Sequence, residues 1–150
     1  MRFHAGFTLV ELVVIMLVTG VLAIAVLPRF TGTQAFDERG FHDTTISALR
    51  YAQKAAIAQR RTVCLTFTQT SVTAHIASAV PPSTTCDNAL GGPNGTSPYT
   101  VTARGSARFS SVPTAFNFSA LGRASAGQTL QVANVGASIT VEAETGYVHE

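Results

Sequence analysis

Charged residues are scarce in this sequence: Asp, Glu, Lys and Arg make up only 12% of its 150 residues, and the net charge is +2. Between Arg29 and Arg61, six basic residues stand against three acidic ones, but between Thr62 and Glu150 three basic residues stand against four acidic ones. A nucleic-acid-binding domain ordinarily presents a basic face. The second half of the chain lacks the charge for such a face, which argues against this class of function.

Cysteine is also rare, and Cys64 and Cys86 are the only two. There is no Cys-x-x-Cys pair, and the histidines are scattered along the chain, so the ligand spacing of a zinc site is missing. We therefore predict no metal and no other cofactor. In an exported domain an even number of cysteines favours a disulfide. The alternative is a pair of unpaired, buried thiols.

The usual marks of an active site are missing as well. The sequence has no Gly-x-Ser-x-Gly elbow, and the glycine-rich segment from Gly91 to Gly95 is not followed by the lysine that a phosphate-binding loop needs. Glu142 and Glu144 share a strand face beside a predicted turn, which fits a solvated edge better than a general acid. We predict that the protein is not an enzyme.

The sequence does contain a long apolar run, from Phe7 to Leu27. At about 1.5 Å per residue this run forms roughly 31 Å of helix, enough to cross a hydrocarbon core of about 30 Å. No small-residue cleavage site ends the run, so it differs from an ordinary secretory signal. We predict a membrane-spanning helix that Pro28 interrupts or kinks and that Gly20 weakens.

Glu11 is the one acidic residue inside this run. A carboxylate in the bilayer is disfavoured by a few kcal/mol, so a chain that keeps one is expected to supply a partner for it. The alternative is that Glu11 lies near enough to the end of the span to reach the lipid headgroups.

The segment from Gly6 to Glu11, followed by an unbroken apolar helix, resembles the prepilin signature of type IV pilins and of type II secretion pseudopilins. The resemblance implies that a membrane prepilin peptidase cleaves between Gly6 and Phe7, and that Phe7 is then N-methylated. It also implies that Glu11 pairs with the amino-terminus of a neighbouring subunit during assembly. Such a pair is physically sensible, because each buried charge relieves the desolvation of the other.

The predicted organisation has four parts. Residues 1–6 form a prepilin leader, 7–28 a transmembrane or filament-core helix, 29–61 an amphipathic helix, and 62–150 a β-rich domain. Within the third part, Phe36 to Arg61 is predicted to be helical. Apolar residues recur there at three- and four-residue spacing and should pack on a sheet. They are Ile46, Leu49, Ala52 and Ala56, and the opposite, solvated face carries Arg39, Arg50 and Lys54.

Period-two alternation predicts a hairpin of Thr62 to Gln69 and Ser71 to Ala79, followed by a loop from Pro81 to Pro98. Further short strands are predicted at Tyr99–Ala103, Ala107–Val112, Ala115–Ser119, Gln128–Asn134, Ser138–Ala143 and Gly146–His149. No helix recurs between them. The expected fold is therefore α+β, a long amino-terminal helix packed on antiparallel sheet in two layers.

A second resemblance covers most of the domain. Its pieces are Ser47–Ala56, the strand from Val63, Phe116–Phe118 with Leu121–Arg123, and Ile139–Val141 with Thr145–Val148. Together they are similar to the GspH/FimT branch of pseudopilins and minor pilins. Within that branch, Leu49 to Lys54 and the two cysteines are similar to minor pilins of mannose-sensitive haemagglutinin pili.

These resemblances imply a minor pilin or pseudopilin that primes or joins a type IV pilus or type II secretion pseudopilus. Its partners would be other pilins, the prepilin peptidase, an inner-membrane assembly platform and membrane lipid. The leader would lie in the cytoplasm and the domain in the periplasm of a bacterium. The alternative is a pilus-tip DNA receptor using Arg104, Arg108 and Arg123. Some FimT-like proteins bind DNA through Gly-Arg-x-Arg, but this chain has Gly146-Tyr147-Val148-His149 at that place and lacks both arginines.

Overall fold

The computed structural model describes residues 8–26 and 33–150, and the side chains of residues 23–26 are not described. The chain forms two compact units, Met1–Thr33 and Gln34–Glu150. The first contains helix α1, Leu9–Val26, and helix α2, Thr33–Gln59, begins where the second unit starts. Helix α2 therefore starts three residues before its predicted first residue and ends two residues before its predicted last one.

Helix α2 buries the predicted apolar stripe of Ile46, Leu49, Ala52 and Ala56. Its carboxyl end is closed by Arg60, which adopts a left-handed conformation with φ of 50°. The Arg60 and Arg61 amides donate to the carbonyl oxygens of Ile57 and Ala56, at 3.3 and 3.1 Å. This pair of bonds is the Schellman arrangement, which satisfies carbonyl groups that a helix end leaves without partners.

The first sheet has five strands: β1 (Val63–Phe67), β2 (Ser71–Ile76), β3 (Asn88–Ala89), β4 (Tyr99–Thr102) and β5 (Phe116–Phe118). All of its pairings are antiparallel. The predicted hairpin is present, with Val63 opposite Ile76. Strands β3 and β4 share one side of β2, while β1 lies between β2 and β5.

The second sheet has the order β6 (Gln128–Gln131), β7 (Ser138–Val141) and β8 (Val148–His149), again antiparallel. The described chain thus has two helices and two antiparallel sheets, and the predicted α+β class is confirmed.

One loop prediction and one strand prediction were wrong. The loop predicted from Pro81 to Pro98 contains β3, whose two exposed residues show no apolar alternation and are ordered by pairing with β2. The strand predicted at Ala107–Val112 is reduced to an isolated bridge between Phe109 and Val132. Its alternation nevertheless reflects burial, because Ala107 and Phe109 are at most 1% exposed.

One hydrophobic core joins α2 to both sheets. It includes Leu49 of α2, Leu65 and Phe118 of the first sheet, and Leu130 and Ile139 of the second. Near the start of α2 the ring of Phe41 lies 4.9 Å from that of Phe109, centroid to centroid.

Two ionisable residues of α2, Glu38 and His42, are also buried, and the sequence pattern did not predict their burial. The carboxylate of Glu38 accepts hydrogen bonds from the side-chain amides of Gln34, at 3.1 Å, and Asn134, at 2.8 Å. These bonds connect the helix to the turn between β6 and β7 and offset part of the cost of burying a charge.

Candidate functional site

Helix α1 begins at a capping arrangement around Thr8 and Glu11. The Thr8 hydroxyl accepts a hydrogen bond from the Glu11 amide at 3.3 Å, and the Thr8 carbonyl accepts one from the Leu12 amide at 3.2 Å. Thr8 is therefore the N-cap, and Glu11 occupies the third helical position, as in a Thr-x-x-Glu capping box. A carboxylate there also interacts favourably with the helix dipole. The spacing of Thr8 and Glu11 in the sequence is a signal for this cap, beside the membrane and assembly roles predicted for Glu11.

The apolar side chains of α1 are exposed. Leu9 is 80%, Met16 66% and Leu17 65% exposed, and even the least exposed large apolar side chain described in this helix, Ile15, is 47% exposed. Glu11 is the acidic residue of the first turn, amid these apolar neighbours. Contiguous apolar surface of this kind marks contact with lipid or with other protein.

Among residues 8–26 and 33–150, no helix combines the length and the apolar character needed to cross a membrane. The two ends of the predicted span, Phe7 and Leu27-Pro28, lie outside the described residues.

Of the other residues predicted to function in the amino-terminal region, some lie outside the described residues and one lies inside them. The processing residues Gly6 and Phe7, and Pro28, lie outside the described residues. Gly20 lies within α1, which continues to Val26, and a Cβ added there would meet no atom within 4 Å. The preceding Thr19 hydroxyl donates to the carbonyls of Ile15 and Met16, at 2.7 and 3.1 Å. Flexibility of the helix at Gly20 and Pro28 stays a prediction.

Cys64 and Cys86 form a disulfide, so the favoured one of the two alternatives is confirmed. The bridge ties β1 to the segment before β3 across a sequence separation of 22 residues, a loop whose closure is worth about 3 kcal/mol in the chain-entropy model. Asp87, the next residue, accepts hydrogen bonds from the amide and hydroxyl of Ser78, at 2.8 and 2.7 Å. These bonds, first from the Ser78 side chain, lower the pKa of Asp87 below its ordinary 3.8.

Segments of the GspH/FimT resemblance that are far apart in sequence meet beside α2. The side-chain amide of Gln53 donates to the carbonyl oxygens of Gly122, at 3.1 Å, and Thr145, at 2.9 Å. Gly146 lies so close to this turn that an added Cβ would be 1.9 Å from the Gly122 oxygen, and its φ is 65°. We call Gln53, Gly122, Thr145 and Gly146 the glycine clamp. It holds two surface turns against one helix and brings no reactive groups together.

The three arginines of the DNA-binding alternative are all exposed. Arg123 forms an ion pair with Glu144, which offsets its charge. Arg104 follows β4, and Arg108 belongs to the segment that bridges to the second sheet.

The segment at the place of the Gly-Arg-x-Arg motif ends in His149, whose Nε2 lies 3.2 Å from a carboxylate oxygen of Glu142. The backbone carbonyl of Glu150 and then the Glu142 side chain raise the pKa of His149. Glu142 and Glu144 are both exposed. Glu142 contacts His149 and Glu144 pairs with Arg123, in agreement with the predicted solvated edge.

In the described part of the chain, one group of side chains has atoms close enough for a shared cation. Atoms of His42, Asp43 and Glu150 lie within 4.8 Å of one another. The two carboxylates are exposed, and the His42 Nδ1 is 3.2 Å from an Asp43 oxygen, within hydrogen-bonding distance.

Residues 1–27 match the family described as the prokaryotic N-terminal methylation motif. The fold is similar to the crystal structure of the type IV minor pilin FimU of Pseudomonas aeruginosa strain PAO1, with a TM-score of 0.52 and 14% sequence identity. That similarity covers 78% of this chain and 90% of FimU. No curated protein matches the chain.

The chain therefore carries a prokaryotic N-terminal methylation motif, and its fold is similar to that of a type IV minor pilin.

Proposed function

We propose that this protein is a minor pilin or pseudopilin, a structural subunit that primes or joins assembly of a type IV pilus or type II secretion pseudopilus. The observation that carries the proposal is the pairing of the methylation motif with an apolar helix whose described side chains are exposed. Exposed apolar surface requires a covering, and in a filament neighbouring helices supply it. The role is assembly, with no reaction catalysed.

The chain would first be anchored in the bacterial inner membrane through residues 7–28, with the leader in the cytoplasm and the domain in the periplasm. The prepilin peptidase would cut between Gly6 and Phe7, and Phe7 would be N-methylated. The assembly platform would then transfer the helix from lipid to other pilins. The disulfide supports the periplasmic placement, since such bridges form and persist in oxidising compartments.

Glu11 has two possible roles, and they predict different mutational results. In assembly, its carboxylate would pair with the amino-terminus of a neighbouring subunit and set the register between helices. In local structure, it belongs to the capping arrangement with Thr8. Removal of the cap by Thr8→Ala costs a helix about 1 kcal/mol and leaves the carboxylate in place.

The test compares Glu11→Gln with Thr8→Ala in cells that assemble the filament. We expect Glu11→Gln to abolish incorporation and Thr8→Ala to leave most of it, at equal amounts of protein in the membrane. Mass spectrometry of the mature amino-terminus should find N-methyl-Phe7 in both variants. Equal losses in the two variants would contradict a specific role of the Glu11 carboxylate in assembly, and native protein that retains Met1 would contradict the proposed function.

A further inference from the structure

Strand β4 has one edge that no other part of the described chain pairs with. The Ala103 amide donates to the Thr70 carbonyl at 2.8 Å, so this pair is hydrogen-bonded. Bonded and non-bonded pairs alternate along an antiparallel ladder. In the β2–β4 register, Val101 opposite Val72 is therefore a bonded pair. The amide and carbonyl groups of Thr100 and Thr102 consequently point away from β2, toward the outer edge.

The outer sides of β5, β6 and β8 are covered by the chain itself. Ser125 donates to the Asn117 carbonyl at 2.9 Å, Ser110 donates to the Gln131 carbonyl at 2.8 Å, and the Arg50 guanidinium donates to the Val148 carbonyl at 3.0 and 3.2 Å. Proteins commonly protect sheet edges in this way, because unpaired strand edges attract other strands. Within the described residues, the outer edge of β4 thus has no hydrogen-bonding partner, whereas the outer edges of these three strands have one.

A groove of about 540 Å³ lies between β4 and the first half of α2. Phe36, Gly40, Thr44 and Ser47 of α2 line it and recur at three- and four-residue spacing, so they share one helix face. All four are exposed, and Phe36 is 79% exposed. The other wall includes Tyr99 and Val101, which are half-buried. The small side chains of Gly40, Thr44 and Ser47 leave space where the next strand of the sheet would lie.

We propose that this groove, here named the β4 groove, binds an extended segment of another protein, which adds to the first sheet as a strand beside β4. An extended backbone supplies amide and carbonyl groups at the spacing of those on Thr100 and Thr102, and this is how strand addition provides affinity. Because side chains alternate along a strand, every second residue of the segment would face α2. Apolar residues at those positions would contact Phe36 and Val101.

Two charged side chains at the groove indicate which residues a bound segment would carry. Asp37 and Arg104 both line the groove, and neither forms an ion pair with another residue of the described chain. A segment with charged residues flanking its apolar positions would complement both. The inference does not depend on the proposed filament role, because the groove belongs wholly to the unit Gln34–Glu150.

The direct test uses the full chain in detergent micelles and a panel of octapeptides. In each peptide Val, Leu or Phe alternates with Thr, with Glu at one end and Lys at the other. Hydrogen exchange at single amides is followed by NMR. We expect peptide to slow exchange at Thr100 and Thr102 by about tenfold or more, since their outward amides gain partners, and to leave Val101 unchanged. The same peptides with a central proline, which lacks an amide donor, should have no effect.

Two substitutions separate binding from folding. Thr100→Pro removes an outward donor without breaking the β2–β4 ladder, and proline is tolerated on edge strands. Gly40→Leu fills the groove, because a Cβ at Gly40 meets no atom within 4 Å and leucine favours helix. Each should weaken peptide binding by about tenfold or more. Gly40→Leu should do so without lowering the melting temperature, whereas Thr100→Pro also removes the 3.2 Å contact between the Thr100 and Thr73 hydroxyls. Lys54→Leu, on α2 but outside the groove, is the matched control and should bind as the unmodified protein does.

Three results would overturn the proposal. One is that no peptide protects Thr100 and Thr102 at about 1 mM, the weak limit for short peptides. Another is that Gly40→Leu binds peptide as tightly as the Lys54→Leu control. The third is protection of the two amides without peptide that rises with protein concentration, because a second copy of the chain would then occupy the edge.

Discussion

The two units of this protein differ in how far their apolar side chains are exposed. In Gln34–Glu150, Leu49, Leu65 and Phe118 are at most 1% exposed and belong to one core. In α1, the large apolar side chains described are 47–80% exposed. The domain supplies its own nonpolar environment, whereas α1 depends on its surroundings. The contrast separates a domain with its own hydrophobic core from a helix whose described apolar side chains are exposed.

The largest expected effect comes from the same substitution made in each unit. Leu49→Ala should lower the free energy of unfolding of the domain by about 2–5 kcal/mol, because it leaves a cavity in a closed core. Leu17→Ala, at a position that is 65% exposed, should change it by less than about 0.5 kcal/mol. Urea unfolding of the full chain in detergent, followed by tyrosine fluorescence, measures both. Equal effects would contradict the division between the units.

A second pair of substitutions tests how rigidly the domain holds its turns. Gly146→Ala should destabilise it by about 2–4 kcal/mol, because the new Cβ collides with the Gly122 carbonyl and alanine disfavours a φ of 65°. Gly136→Ala, where a Cβ meets nothing within 4 Å, should stay within about 0.5 kcal/mol of the unmodified protein. Thermal unfolding by circular dichroism compares the two. A small loss at Gly146 would show that the glycine clamp can relax.

The smallest expected effect is a pH dependence beside the disulfide. The Ser78 hydrogen bonds favour the ionised form of Asp87, so its folded pKa lies below the ordinary 3.8. The stabilisation is therefore fully present above pH 3.8 and is lost as the pH falls through the lower, folded pKa. NMR titration should find that Ser78→Ala raises the pKa of Asp87 toward 3.8. An unchanged value in the variant would show that the Ser78 hydroxyl is not the cause.

Several parts of the fold could be predicted because local periodicity records them. The stripe of Ile46, Leu49, Ala52 and Ala56 follows the helical repeat, and all four residues are buried. The alternation in β1 and β2 predicted a hairpin, and their pairing confirms it. The even cysteine count favoured the bridge that the structure contains.

Other features have no local signal. Strand β3 forms because β2 offers it hydrogen-bonding partners, and nothing in Asn88-Ala89 marks a strand. Glu38 and His42 are polar residues in a helix, and the burial of Glu38 depends on Asn134, which is 96 residues away in sequence. Glu11 shows the converse case, because its spacing from Thr8 is a local capping signal inside a run whose apolar character also predicts a membrane-spanning helix.

The sequence by itself determined the apolar run, its single acid, the amino-terminal motif, the helical repeat of α2 and the period-two pattern of β1 and β2, because each depends on residues close together along the chain. Only the tertiary structure decided which strand edge stays open, how Gln53 joins two distant turns, and where the groove beside β4 lies. Those features depend on which distant segments pack together, and the packing of a whole core selects them rather than any local pattern.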